Sequence, residues 1–373
     1  MRLALLCPYS LSVPGGVQGQ VLGLARELDT MGHEVTVLAP MDTSRSTGSA
    51  APLPGLNLVD LGPSVRMKAN GSVAPVALGP RASVRALKAL GGQRVEVLHI
   101  HEPLAPGASY ACLAFGKTPM VGTFHRSGGS AFYTLLGPFA RMLADRLQVR
   151  CAVSDEARRT AQKALGGSYE LIGNGVDVAR FSDARPWPTE GPTVMFVGRH
   201  ETRKGLGVLL EAFSSVKVPG AVCWIAGEGP ESKALREKFP SSSSFVWLGR
   251  IDDLELARRL AGSHVACFPS LSGESFGVVL LEAMAARSAI LASDLPGYRS
   301  VAGDNAYLVP PGDVSGLRSG LEILLTDAQL GEGTSSARAL QAGSAIAESF
   351  SMSRIAARYL AIYEEAVSPS NRR

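Results

Sequence analysis

Gly273-Glu274-Ser275-Phe276-Gly277-Val278-Val279-Leu280-Leu281-Glu282-Ala283-Met284-Ala285 decides how the rest of this chain reads. The run before it, His264-Val265-Ala266-Cys267-Phe268, is apolar and long enough for a buried strand. Residues Pro269 to Gly273 break that run. Ser275 then suits a helix N-cap, and Phe276 to Ala286, mostly apolar, predicts the helix. A helix starting there aims the free N–H groups of Ser275, Phe276 and Gly277 into the turn. Such an end carries roughly half a positive charge and suits a phosphate. Two carboxylates, Glu274 and Glu282, bracket it. The plainer alternative is an amphipathic helix with an incidental Glu in its loop.

Upstream lies Gly198-Arg199-His200-Glu201-Thr202-Arg203-Lys204-Gly205, after the apolar run Thr193–Val197. Cations in a turn before a helix start neutralise a diphosphate, Arg as a two-pronged donor and Lys as a point charge. A charged run more often means a solvated loop. Here the two turns are expected at the same edge of one sheet, which favours a shared diphosphate site. No D-x-D spacing offers a metal-bound diphosphate, and Asp252-Asp253 reads as the cap of the next helix. No metal or cofactor is expected.

The same strand–turn–helix alternation extends in both directions. A chain of 373 residues exceeds what one core usually organises. The first half predicts strands at Leu3–Cys7, Glu34–Ala39, Leu56–Leu61, Ser72–Ala77, Val95–His99, Pro119–Phe124, Val149–Val153 and Tyr169–Ile172. Helices are expected between most of them, including Leu104–Phe115, Phe132–Leu147 and one capped by Ser154. Thr43 to Pro54 reads as a loop. The Pro-rich stretch near Arg185-Pro186-Trp187-Pro188 has no periodicity and reads as a linker. The expected division is 1–175 as an N-terminal domain, 176–192 as linker, 193–350 as a second domain, and 351–373 as a final helix. Both domains read as doubly wound α/β sheets, whose ligands sit at the carboxyl ends of the strands. The natural site is then the cleft between them.

Composition narrows the partners. A net charge of +4 hints at anionic ligands or an anionic membrane surface. Aromatic residues at 6% are too sparse for stacking platforms, so no nucleic acid is expected. The five cysteines show no C-x-x-C spacing and read as buried thiols of a cytoplasmic protein. Arg2 to Cys7 is too short for the apolar core of a signal peptide, and Pro8 ends it.

Three motifs in the first half bear chemistry. Pro14-Gly15-Gly16-Val17-Gln18 follows the first strand and lets backbone approach a phosphate, or is simply a turn. It lacks G-x-G-x-x-G spacing, and Ala39-Pro40 ends the second strand where a dinucleotide ribose wants an acid. His99, His101 and Glu102 follow a strand and suit packing and hydrogen bonding at the cleft better than a metal pair lacking a third ligand. His125, where a strand ends before Arg126-Ser127-Gly128-Gly129, is placed to touch a sugar or accept a proton, or is a buried structural histidine.

These residues together resemble the retaining family-four glycosyltransferases of GT-B fold. The carriers are Gly198-Arg199 with Arg203-Lys204-Gly205, followed by Glu274-Ser275-Phe276-Gly277 and Glu282. Within that family the chain looks most like actinobacterial phosphatidylinositol mannosyltransferases. Cys7-Pro8-Tyr9-Ser10, Val13 to Gln18, Asn70-Gly71-Ser72-Val73-Ala74, Leu98 to Pro103 and Thr123-Phe124-His125 carry that likeness. The resemblance implies two facing Rossmann-like domains with an inter-domain cleft and a C-terminal helix, Ser351–Ala366, crossing back. It implies retaining transfer of mannose from GDP-mannose to an inositol phospholipid, at the inner face of the plasma membrane. Arg199 and Lys204 would hold the diphosphate, Glu274 would face the sugar and Glu282 the ribose. His125 would lie near the transferred sugar, and Gly16 would let the donor phosphate approach. Arg250 and Ile251 would meet the base, and Ser275, Phe276, Gly277 and Val278 the donor. Tyr9, Gln18, Asn70, Ser72 and Arg126 would meet the acceptor. A UDP-sugar transferase with another acceptor and a sugar-nucleotide 2-epimerase share the same plan.

The chain departs from that pattern on the acceptor side. Pro75 follows Ala74 where those enzymes carry an Arg, and the loop after His125 differs. Arg81, Arg85 and Lys88 form one basic helix stripe, thinner than the family's membrane-binding cluster, and suit either anionic lipid or water.

Overall fold

The structure is a computed structural model and describes residues 1–42, 55–69, 72–92, 94–128, 137–330 and 335–368. The chain divides into two compact units, Met1–Gly175 with Met352–Arg373, and Val176–Ser351.

The first unit is a seven-stranded sheet in the order β3-β2-β1-β6-β7-β8-β9. Its strands are β1 (Arg2–Leu6), β2 (Glu34–Ala39), β3 (Asn57–Asp60), β6 (Val97–His101), β7 (Met120–Phe124), β8 (Val149–Ala152) and β9 (Glu170–Leu171). All pairings within it are parallel. Helices cover both faces of such a sheet, so the central strands are apolar almost without alternation. β6 and β7 are buried at every residue. An antiparallel hairpin of β4 (Val65–Ala69) and β5 (Ser72–Val76) stands apart from the sheet. The last helix, Met352–Val367, belongs to this unit and lies against the helix Gly16–Thr30 and against β6 and β7.

The second unit is a six-stranded parallel sheet ordered β12-β11-β10-β13-β14-β15. These are Thr193–Val197 (β10), Val222–Ala226 (β11), Phe245–Gly249 (β12), Val265–Phe268 (β13), Ala289–Ser293 (β14) and Tyr307–Val309 (β15). Its core joins Val194, Phe196, Leu209, Leu210, Ile225, Val265, Leu291 and Leu321, all essentially inaccessible to solvent. In each sheet the strand order reverses beside the first strand, between β1 and β6 and between β10 and β13. Loops leaving the two strands at a reversal diverge to opposite faces and leave a crevice for ligand.

Several local expectations are corrected. The helix after β13 starts at Val278, with Gly277 in the left-handed region at φ 102° as its cap. Ser275 is not the N-cap. A Cβ on Gly277 would come 2.8 Å from the Tyr298 ring, so this left-handed cap is open only to glycine. The amides left without intrahelical partners are therefore those of Val278 and its neighbours rather than Ser275 and Phe276. Strand β6 runs two residues further than expected, which puts both His99 and His101 inside it. The helix expected from Leu104 starts at Ala108, because Pro103, Pro106 and left-handed Gly107 delay it. β4 was not anticipated.

The stretch 176–192 is no free linker. Val178–Ser182 is a short helix capped by Asp177, with Phe181 fully buried. Trp187 is held by the Arg259 guanidinium 3.9 Å above its ring and by Arg258 at 4.7 Å. Two aromatic anchors fix a segment that lacks any periodic pattern. The loop expected at Thr43–Pro54 lies outside the described residues, as do Asn70, Gly71 and the first turn of the helix expected at Phe132–Leu147. The described part of that helix is Gly137–Ala144.

Candidate active site

In the second unit, the loops after β10 and β13 are bonded to each other. The turn Thr202–Lys204 ends at Gly205, whose φ is 68°. A Cβ there would sit 1.9 Å from the carbonyl oxygen of Pro269, so only glycine permits the approach. The Leu271 N–H donates to the Arg203 carbonyl at 2.7 Å.

That approach brings five charges together. Lys204 Nζ donates to Glu274 Oε1 at 2.7 Å, and Arg203 Nη1 stands 3.4 Å from the same oxygen. Ser270 Oγ donates to it as well, at 3.0 Å, and lies 3.1 Å from the Tyr298 hydroxyl. Arg203 Nε also reaches Glu201 Oε2 at 3.1 Å, and Arg199 Nη2 reaches Glu201 Oε1 at 2.8 Å. Three cations thus share two carboxylates. Arg199 is half exposed and the others are largely buried. The excess of positive charge and the helix start at Val278 both suit an anion of two phosphates.

Glu282 lies in that helix. Burial pushes its carboxyl up from 4.5 to about 7; Arg180 favours ionisation and Asp253 opposes it. Arg250 is exposed and Ile251 half-buried, just past the end of edge strand β12. His200 is buried, with Nδ1 2.8 Å from Ser232 Oγ.

In the first unit, the loop after β1 carries Tyr9, Gly16 and Gln18. Tyr9 bridges to Val76 of the hairpin, and burial and the nearby Glu102 hold its proton on. Gln18 is buried and its amide closes the loop, donating to the carbonyls of Val13 at 3.1 Å and Ser10 at 3.3 Å. Gly16 has open space where a side chain would be. Ser10 Oγ donates to the Asp42 carboxylate at 2.8 Å, and Ser64 donates to it through its amide at 2.8 Å and its hydroxyl at 2.6 Å. Asp42 therefore clamps the β1 loop to the entry of the hairpin that carries Ser72.

His125, at the end of β7, is buried, as are His99, His101 and Glu102. Burial drives His125 down to about 4 and His99 to about 3, so both are neutral at pH 7. His99 bonds Tyr363 at 2.7 Å and Thr123 at 2.7 Å, and Thr123 meets Tyr359 at 3.0 Å. The terminal helix is thereby tied to β6 and β7. Arg126 is half-buried beside Glu102.

Of the residues singled out from sequence, Arg199, Lys204, Glu274 and the start of the following helix come together in the second unit. Tyr9, Gln18, His125 and Arg126 lie in the first. Glu201, Ser270 and Tyr298 join the cluster with no role assigned in advance, and Arg203, named only among the cations of the turn, is central to it. Glu201 and Arg203 stood inside the quoted charged turn; nothing in sequence marks Ser270 or Tyr298. Asp42 had no signal either. Among the described residues no group of three His, Cys, Asp or Glu side chains is placed to hold a metal ion, and the five cysteines are buried thiols.

Comparison with known proteins bears on the family and the fold. Residues 14–180 match the family model described as Glycosyltransferase Family 4, and residues 177–339 match that described as Glycosyl transferases group 1. A phosphatidyl-myo-inositol mannosyltransferase of Mycolicibacterium smegmatis is 40% identical over 353 residues, 89% of this chain and 87% of its own. One from Mycobacterium tuberculosis is 38% identical over 377 residues, 98% and 97% of the two chains. Among solved structures, a glycosyltransferase of Rickettsia africae superimposes with a TM-score of 0.75 at 18% identity, covering 99% of each chain. An Anabaena protein in complex with UDP reaches 0.77 at 17% identity, covering 98% of this chain and all of that one. At such low identity the last two speak for the fold, which is GT-B. With both family models matched in tandem and relatives alike over most of its length, the chain belongs to glycosyltransferase family 4.

Proposed function

We propose that this protein transfers mannose from GDP-mannose to phosphatidyl-myo-inositol, with retention at the anomeric carbon. The observation that carries the reading is the Arg199–Glu201–Arg203–Glu274–Lys204 cluster at the strand-order reversal of the second sheet. The names of the relatives supply the sugar and the acceptor. In this reading Arg199, Lys204 and the amides at Val278 take the diphosphate and stabilise the charge that grows on it as the glycosidic bond breaks. Glu274, released from Lys204, turns to the sugar. Glu282 bonds the ribose, and Arg250 and Ile251 meet the base. In the first unit, Gly16 gives the donor phosphate room, Tyr9 lies against the inositol, and Gln18, Asn70, Ser72 and Arg126 line the acceptor. The acceptor oxygen attacks from the face the phosphate leaves, and that phosphate takes the acceptor proton. His125, neutral and hydrogen-bonded, walls the sugar rather than accepting a proton.

The acceptor implies work at the inner face of the plasma membrane. Among the described residues no helix is long and apolar enough to cross a bilayer. The helix Pro80–Gly92 exposes Arg81, Arg85, Lys88 and Val84 while burying Ala82, Ala86 and Leu90. Helices of the same unit expose Phe115, Phe139 and Met142. Basic and apolar side chains together suit an anionic lipid surface.

The test is nucleotide release from GDP-mannose and UDP-glucose, with phosphatidylinositol vesicles and with soluble inositol phosphate. GDP release that needs the vesicles is the expected result. Release from UDP-glucose alone, or release without acceptor, refutes the donor and the reaction respectively. Preference for the soluble acceptor, with no sedimentation on anionic vesicles at low salt, refutes the membrane assignment.

A further inference from the structure

The first unit holds a second concentration of buried polar groups, and it surrounds His125. His101 Nδ1 lies 2.9 Å from His125 Nε2, with the rings stacked at 25° and 5.2 Å between centroids. The Glu102 carboxylate accepts the backbone N–H of His125 at 2.5 Å and also bonds the N–H of Arg126. The Asn174 side chain lies beside the His125 ring and favours its charged form. Glu102 itself sits at φ 49°, a left-handed conformation that a residue with a side chain rarely adopts. Its own N–H is tied to the Thr123 carbonyl at 2.8 Å, which holds that conformation in place. Backbone strain and a buried carboxylate both disfavour this arrangement as mere filling. What they secure is the place of the two residues that follow β7, His125 and Arg126.

The proton between the two imidazoles is also assigned. Burial holds His101 well below the usual histidine range, as it does His125, so both rings are neutral and one nitrogen donates while the other accepts. His101 Nε2 is buried with no hydrogen-bond partner among the described residues. If His125 donated, His101 would carry its own proton on Nε2 as a buried, unbonded N–H. If His101 donates from Nδ1, its Nε2 is only a bare lone pair, the less costly orphan.

We infer that His101 and Glu102 are positioning residues for His125, His101 holding the ring as its Nδ1–H tautomer and Glu102 holding the backbone that carries it. This rests on the reading of His125 as a sugar-side residue. With Nε2 occupied, the ring presents one fixed orientation to the sugar.

Two measurements test it on the full chain. In ¹⁵N-histidine spectra, the resonances that vanish in His125→Ala identify that ring. They are expected to show a protonated Nδ1 and an unprotonated Nε2, and to change in His101→Ala. A protonated Nε2 on His125 overturns the tautomer. In transfer from GDP-mannose to phosphatidylinositol in phosphatidylcholine vesicles, His101→Ala and Glu102→Ala each lower kcat by about 10²-fold, the scale of an ångström misplacement. KM for GDP-mannose stays within about twofold, since the donor is held by other residues. His101→Gln, which keeps a donor, and Glu102→Gln, which keeps an acceptor, recover part of the loss and serve where the alanine variants do not fold. Wild-type kcat in both alanine variants, or equal loss in the glutamine variants at unchanged melting temperature, overturns the inference. His125→Ala separates the two ideas. If it turns over normally, the sugar-side reading fails. If it is slow while the His101 and Glu102 variants are normal, only the positioning inference fails.

Discussion

Replacing Lys204 by Met removes one charge and keeps most of the side chain's volume. Two consequences follow, of different size. The first concerns stability. Lys204 Nζ is 2.7 Å from Glu274 Oε1, and the side chains are 19% and 12% exposed. After the change Glu274 keeps Ser270 at 3.0 Å and Arg203 at 3.4 Å, so its carboxylate is weakened but not abandoned. The cost is about 1–2 kcal/mol, toward the low end for a partly buried charge that keeps other partners. The second concerns turnover. A cation about 4 Å from a developing phosphate charge is worth about 4 kcal/mol at the effective dielectric of a protein surface. At 1.36 kcal/mol per factor of ten, kcat falls by about 10³-fold. Lys204→Arg, which restores the charge in another shape, recovers part of it. Steady-state GDP release with saturating vesicles measures kcat, and thermal unfolding measures stability. A Lys204→Met protein that melts within a few degrees of wild type and turns over within tenfold of it refutes the diphosphate assignment. A large loss of stability with little loss of kcat would make Lys204 a structural partner of Glu274.

Other substitutions test other parts of the structure. Glu282 has its carboxyl raised from 4.5 to about 7, chiefly by burial. Folding is unaffected by this group below pH 4.5, is increasingly opposed as pH rises to 7, and above that bears a constant penalty of up to about 3 kcal/mol. Glu282→Gln is therefore expected to melt higher than wild type at pH 8 and the same at pH 4, and equal melting at both values refutes the shift. Phe181→Ala empties a fully buried site in the stretch expected as linker and should cost about 3–5 kcal/mol of the second unit's stability; a loss below 1 kcal/mol in urea titration would show the segment to be loosely attached. Gly205→Ala places a methyl 1.9 Å from the Pro269 carbonyl oxygen at φ 68° and should lower both melting temperature and kcat, because the two site loops must part. Unchanged turnover there would mean that their contact is dispensable.

What sequence reveals and what it hides divide along a physical line. Continuous apolar runs such as Thr193–Val197 and Val265–Phe268 announce buried parallel strands, because such strands need apolar surface on both faces. Cations and carboxylates in the turns that follow announce a polar site at those strand ends. Local periodicity is silent where a long-range contact decides. Ser275 has the chemistry of an N-cap, but the helix begins only after Gly277, whose left-handed backbone packs against Tyr298 with no room for a side chain. The stretch around Trp187 has the composition of a linker, but Arg258 and Arg259 on a distant helix hold it. Tyr298 reaches Ser270 from a later helix, and Asp42 reaches Ser10 and Ser64, only because the sheets bring those elements together.

If the cation cluster is the donor site proposed above, its ion pairs make it stable without ligand and still attractive to a diphosphate. Three cations set side by side would repel one another; Glu201 and Glu274 remove that repulsion by lying between them. The same carboxylates prevent the cluster from binding any passing anion at full strength, since an incoming phosphate must compete with them. A diphosphate competes well, because it brings two charges and can use the helix-start amides as well. On the proposed reading, a diphosphate that displaces Glu274 from Lys204 frees that carboxylate to hydrogen-bond the sugar, so that donor binding and the readiness of Glu274 are one event. Glu274→Gln should separate them: the neutral amide releases Lys204 without a ligand, so GDP alone binds as well as or better than in wild type, while transfer slows. Isothermal titration with GDP beside kcat from nucleotide release checks this. GDP binding weakened in parallel with kcat would mean that Glu274 holds the cations in place for the phosphate rather than guarding them from it.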